Sequence, residues 1–172
     1  CPWGERADGR RARVRRDPCH STGAAHHAVM PADRPWYHAG LRFACTRCGN
    51  CCGGAPGNVY LDDAEVDALA ARLGLDRAAF LQRYTRVVHR RDGDRRSLIE
   101  FRNHDCIFYR SGQGCTVYED RPRQCRTWPF WRGNLASADD WADAAHDCPG
   151  IGRGELVAAE RIAAIAADDG LP

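Results

Sequence analysis

An α+β fold is what the sequence predicts: a small single domain with short helices and hairpins. Three observations carry that expectation. The chain has 172 residues, a length at which one domain is the ordinary outcome and a core can be buried without disulfides as its main support. Capped stretches with apolar residues at helical spacing alternate with short β-branched segments flanking glycine turns. Ten cysteines crowd the connections between those stretches, too many for an ordinary cytosolic chain unless they serve disulfides or a metal. The composition, 44% hydrophobic and 28% charged, contains no apolar run long enough to span a bilayer, which excludes an integral helical membrane protein.

Residues 1–29 are expected to be a disordered arginine-rich extension outside the natural protein. They carry Arg6, Arg10, Arg11, Arg13, Arg15 and Arg16 against Glu5, Asp8 and Asp17, with no apolar period. The single methionine is Met30, which makes residues 30–172 the expected cysteine-cluster domain. An arginine-rich arm can bind phosphates, and paired arginines can mark an export signal, but residues 21–27 are polar and histidine-rich where an export signal needs an apolar segment. Beyond residue 29 the chain is close to neutral, so the basicity belongs to the extension and no nucleic-acid partner is expected. Cys1 and Cys19 fall with that extension.

The elements follow in order. Residues 31–35 are a polar lead, and Trp36, Tyr37, Leu41 and Phe43 are apolar anchors expected to pack on the cysteine region. Cys45 to Gly54 reads as a loop rich in glycine, whose freedom at positive φ lets a chain wrap closely. Asp62 and Glu65 form a capping box ahead of Val66, Leu69, Ala70 and Leu73, giving a helix over about 62–73 that Gly74 ends. Asp76 caps a second helix with Phe80, Leu81 and Tyr84 on its apolar face, ending near Tyr84 or Arg86. Val87-Val88, the Asp92-Gly93 turn and residues 97–101 make a hairpin. Residues 106–109 and 115–118 read as a second hairpin whose strands each begin with a cysteine. Ser137 and Asp140 open a helix containing Trp141, and Gly154 is expected to begin a final helix striped by Leu156, Val157, Ile162, Ile165 and Ala166.

Within this framework eight cysteines stand together: Cys45, Cys48, Cys51, Cys52, Cys106, Cys115, Cys125 and Cys148. Two intervening residues let successive thiolates converge on one centre, and the run from Cys45 to Cys51 repeats that spacing. Disulfides fit poorly, because adjacent Cys51 and Cys52 could pair only through a strained ring. The pattern therefore reads as a metal site. Eight thiolates suffice for two four-thiolate zinc centres, and the first three cysteines also match the ferredoxin run that holds a [4Fe–4S] cluster, although the Cys-Pro that should follow lies far away at Cys148-Pro149. Neighbouring side chains in extended backbone point to opposite sides, so Cys51 and Cys52 are expected to serve different centres.

Thiolate charge needs compensation. Arg121 and Arg126 are the expected charge partners beside the metal or cofactor, whereas for Arg47 and Arg123 a solvated position is equally expected. Pro122 can open a short helix that delivers Cys125 one turn later. Trp128, Phe130 and Trp131 read either as an apolar lid over the site or as ordinary core. His104, two residues before Cys106, is expected to be an outer or surface residue rather than a ligand.

Cys45-x2-Cys48-x2-Cys51-Cys52, then Cys106 and Cys115, then Tyr118-x2-Arg121-Pro122-x2-Cys125-Arg126-x2-Pro129-Phe130, then Cys148 resembles the YkgJ-type cysteine-cluster family over about residues 36–154. The resemblance implies binding of zinc or iron, the latter as an ion or a [4Fe–4S] cluster, through those eight positions. It leaves the reaction open. A redox form would need a protein redox partner, and an interaction form would offer its aromatic surface as a metal-stabilised adaptor. A cytoplasmic location is expected. No serine–histidine–acid arrangement, paired catalytic carboxylates or three-ligand zinc motif is legible.

Overall fold

Side-chain caps set where the first helices begin. The computed structural model describes residues 34–171, so the arginine-rich stretch with Cys1 and Cys19 lies outside the described residues. Strand β1 (Leu41–Phe43) leads into the cysteine loop, which contains a 3-10 turn at Asn50–Cys52 and ends at β2 (Tyr60–Leu61). Helix α1 (Asp63–Arg72) starts at the expected capping box: the Asp62 carboxylate accepts from the Glu65 amide at 2.8 Å, and the Glu65 carboxylate accepts from the Asp62 amide at 3.0 Å. Asp76 caps α2 (Arg77–Tyr84) by accepting from the Ala79 amide at 2.7 Å. Both helices fall where the sequence places them.

The first expected hairpin is formed by β3 (Thr85–Val88) and β4 (Arg95–Leu98), with β2 on the far edge of β4, so the antiparallel order is β2-β4-β3. The second hairpin is shorter than expected. Its strands are β5 (Tyr109–Arg110) and β6 (Gly114–Cys115), so Cys115 closes a strand, while Cys106 precedes β5 and is bridged to Glu100. Pro122 precedes the short helix α3 (Arg123–Thr127), which carries Cys125. Ser137 caps α4 (Ala138–Asp147) by accepting from the Asp140 amide at 3.1 Å.

The last segment departs from expectation. Gly154 does not begin a helix: it lies inside β7 (Ile151–Val157), antiparallel to β1, and helix α5 spans only Ala159–Ala167. The register jumps between Arg42, opposite Leu156, and Phe43, opposite Ile151. Gly154 adopts φ +73°, and a Cβ there would strike the Ala44 side chain and Phe43 backbone. That glycine permits an irregular strand in close contact with β1 instead of marking a helix start.

These elements bury two apolar clusters. One gathers Leu61, Val66, Leu69, Ala70, Phe80, Leu98, Phe108 and Val117 beneath α1, α2 and the three-stranded sheet. The other gathers Phe130, Leu135, Trp141, Ile162 and Ala166, with Trp36, Tyr37, Leu41 and Phe43 packed against it. Among the described residues no helix is long and apolar enough to cross a membrane. Phe80 is fully buried and stacks on Tyr84, which in turn stacks on Phe108. Phe80→Ala is expected to lower unfolding stability by about 3–5 kcal/mol, measured by urea denaturation with the metal content of both proteins held equal.

Candidate metal centre

All eight cysteines of the expected cluster line one cavity of about 100 Å³. Its apolar wall comes from both clusters: Leu98, Phe108 and Val117 belong to the first, and Phe43 packs on the second. Four separate stretches supply the sulfurs. The loop over 45–52 gives four, residues 106–115 give two, and Cys125 and Cys148 arrive from α3 and from the cap that ends α4. Every one of these eight is a free thiol.

Backbone bonds tie the loop to the other suppliers. The Cys106 amide donates to the Cys52 carbonyl at 2.6 Å, Asn50 Nδ2 donates to the Asp147 carbonyl at 2.9 Å, and the Ala44 amide donates to the Gly150 carbonyl at 3.1 Å. Gly49, at φ +85°, lies against the Tyr109 ring where a Cβ would collide, and Tyr109 pairs with Cys115 across the small hairpin. The absence of a side chain at position 49 therefore brings the loop onto the strand pair that carries another thiol.

Cys125 is held by a neighbour that the sequence gives no reason to single out. Gln124, 5% exposed, accepts from the Tyr60 amide at 2.9 Å and donates to the Asn58 carbonyl at 2.9 Å. Its own carbonyl accepts from Trp131 Nε1 at 2.9 Å. A glutamine at a helix start looks like surface, and only the burial of its amide against β2 shows that it fixes α3.

Burial and mutual repulsion govern the thiols. Desolvation pushes Cys106 up to about 11 and raises Cys115 and Cys125, each further opposed by nearby sulfur charge. Cys51 is lowered to about 7, first because it accepts a hydrogen bond from the Cys52 thiol, which is correspondingly raised. The backbone at Asn50–Cys52 is a 3-10 turn rather than extended, so the alternation behind the expectation of different centres does not apply there, and both sulfurs line the same cavity. The Arg121 charge favours the thiolates of Cys51, Cys115 and Cys125.

Arg121 and Arg126 both line the cavity, with Arg126 Nη1 donating to the Arg121 carbonyl at 2.5 Å. Arg47 also lines it. Arg123 instead turns outward to Asp168 at 2.8 Å and Asp62 at 3.3 Å. His104 is exposed and lines an adjoining cavity of about 270 Å³ that shares Cys51, Cys52 and Cys106 with the first. Of the three aromatics, Phe130 is core, Trp128 lines the cysteine cavity and Trp131 lines the adjoining one.

Eight soft sulfur donors with an arginine beside them are a chemically suitable set for zinc or iron. Among the described residues, however, no group of three or more His, Cys, Asp or Glu side chains already stands at the spacing of a bound ion. The thiols nonetheless share one cavity wall. The CxxCxxCC family model, described as "Putative zinc- or iron-chelating domain", matches residues 44–149. No solved structure matches the chain.

Gln124→Ala leaves the Tyr60 amide and the Asn58 carbonyl without their partner. The expected outcome is a loss of about 1–3 kcal/mol for each orphaned group, read by urea denaturation, together with faster alkylation of Cys125.

Proposed function

Since this chain belongs to the CxxCxxCC family, we propose that it works by holding zinc or iron through Cys45, Cys48, Cys51, Cys52, Cys106, Cys115, Cys125 and Cys148 around one shared cavity. The observation that carries this reading is that eight thiols from four stretches of chain line a single cavity. Bound zinc would cross-link those stretches, whereas iron, as an ion or a [4Fe–4S] cluster, would add one-electron exchange with a protein redox partner.

The chain's own residues prepare the site. Arg121 and Arg126 offset charge as the thiols lose their protons, and Phe43, Phe108, Val117 and Trp128 keep the inner wall dry. Apolar surroundings strengthen each sulfur's attraction for a cation and make it costly to leave a thiolate uncoordinated. A cytoplasmic setting accords with eight free thiols. The functional unit is residues 30–172, with residues 1–29 dispensable.

Anaerobic purification with elemental and sulfide analysis tests the reading. Zinc without colour supports a cross-linking centre. Iron with acid-labile sulfide and visible absorption that bleaches on reduction supports the redox form and calls for its partner. A well-folded protein that stays free of both metals when they are supplied would sink the proposal. Cys125→Ser is expected to weaken metal affinity by at least about 100-fold, since even outer partners of ligands cost 10–100-fold. Cys19→Ser, and a chain beginning at Met30, should retain the full metal content by the same elemental analysis.

A further inference from the structure

The helix that carries Cys125 is too short to hold its own position. α3 has five residues and opens at Pro122 with no side-chain cap, and a helix of that length needs support from outside itself. Gln124 ties it to β2. A second set of ties comes from far along the chain, in the residues that follow α5.

Asp169 is the centre of that second set. Its side chain is 2% exposed and accepts from the Arg132 amide at 3.1 Å, Arg132 Nε at 3.0 Å, Arg132 Nη2 at 3.3 Å and the Leu171 amide at 3.0 Å. The Asp169 carbonyl lies 2.9 Å from the Thr127 hydroxyl, whose proton it shares with the Arg123 and Gln124 carbonyls. Gly170, at φ +76°, sits directly against the backbone of Gln124: a Cβ there would stand 2.7 Å from the Gln124 nitrogen and 3.0 Å from its Cα, so the close approach requires glycine. Asp168 adds an exposed ion pair with Arg123 at 2.8 Å. Residues 168–170 therefore touch Arg123, Gln124 and Thr127, which flank Cys125 on both sides.

We propose that residues 168–171 clamp α3 and so fix Cys125 for metal binding, with Asp169 as the positioning residue. This rests on the eight-thiol reading above. The family match ends at residue 149, so the clamp lies outside the matched domain. A thiol on an unsupported short helix has to be ordered at the moment of binding, whereas a clamped one is ordered beforehand, and that difference favours the bound state. Removing the Asp169 carboxylate leaves the Arg132 guanidinium and two amides without their acceptor, and the segment that carries Cys125 then opens locally.

The test uses the full chain, first free of metal and then loaded with zinc or cobalt(II). In the metal-free protein, alkylation by iodoacetamide, mapped by mass spectrometry, should be on the order of 10-fold faster at Cys125 in Asp169→Ala, as expected when buried donors lose their acceptor and the segment opens. Cys106 and Cys115, held elsewhere by the Cys52 carbonyl and the β5–β6 pair, should react at wild-type rates. Asp169→Asn keeps one carbonyl acceptor and should fall between the two. Gly170→Ala disturbs the contact with Gln124 without removing a charge, should also speed Cys125 alone, and serves where Asp169→Ala fails to fold. Zinc loss to an excess of chelator should be on the order of 10-fold faster in Asp169→Ala, the low end of what outer partners of ligands contribute, and the sulfur-to-cobalt charge-transfer band should shift. Unchanged Cys125 reactivity, equal acceleration at all three thiols, or zinc loss at the wild-type rate overturns the clamp while leaving the eight-thiol centre standing. A wild-type chain that takes up neither metal overturns the centre itself, and the clamp's part in metal binding with it.

Discussion

Crowding of sulfur in a half-dry cavity is the constraint to which the surrounding residues answer. Cys106, Cys115 and Cys125 are each disfavoured as thiolates, first by burial and then by nearby sulfur charge. Ionising several together without a cation would concentrate negative charge where water cannot screen it. Arg121 answers part of that cost, acting on Cys51, Cys115 and Cys125 from one position. Under the proposed reading a metal cation would answer the rest, so its binding would release protons and its affinity would rise with pH as the thiols become easier to ionise.

The same constraint accounts for the layout of the chain. Strands of two to four residues and a five-residue helix carry or adjoin the sulfurs, elements too short to hold position by their own ladders. They are steadied by single bonds between segments: the Cys106 amide on the Cys52 carbonyl, Asn50 on Asp147, Gln124 on both Tyr60 and Asn58. The two apolar clusters supply rigid walls on either side, and the cavity lies where Phe43 of one side faces Leu98, Phe108 and Val117 of the other.

How far the sequence could be read depended on whether the signal was local. Asp62 with Glu65, Asp76 and Ser137 act within one helical turn, and each formed the cap its spacing implies. The eight cysteines grouped from the sequence line one cavity. Gly154 was misread because its purpose is close approach to Ala44, a residue more than a hundred positions away. For Cys51 and Cys52 the alternation rule presumes extended backbone, whereas Gly49 at positive φ turns the chain into a 3-10 conformation just there. Gln124 and the outward path of Arg123 depend on partners in β2 and after α5, which no local pattern announces.

Exposure divides the eight sulfurs unequally, and that division gives the site its direction. Cys148 sits buried behind α4, and Cys106, Cys115 and Cys125 are partly covered, whereas Cys45, Cys48 and Cys51 face outward on a loop. The eight cysteines thus divide into a less exposed group on or beside strand and helix and a more exposed group on the loop. Two contacts tie that loop to the rest of the domain, Arg47 on Tyr118 and Asn50 on Asp147.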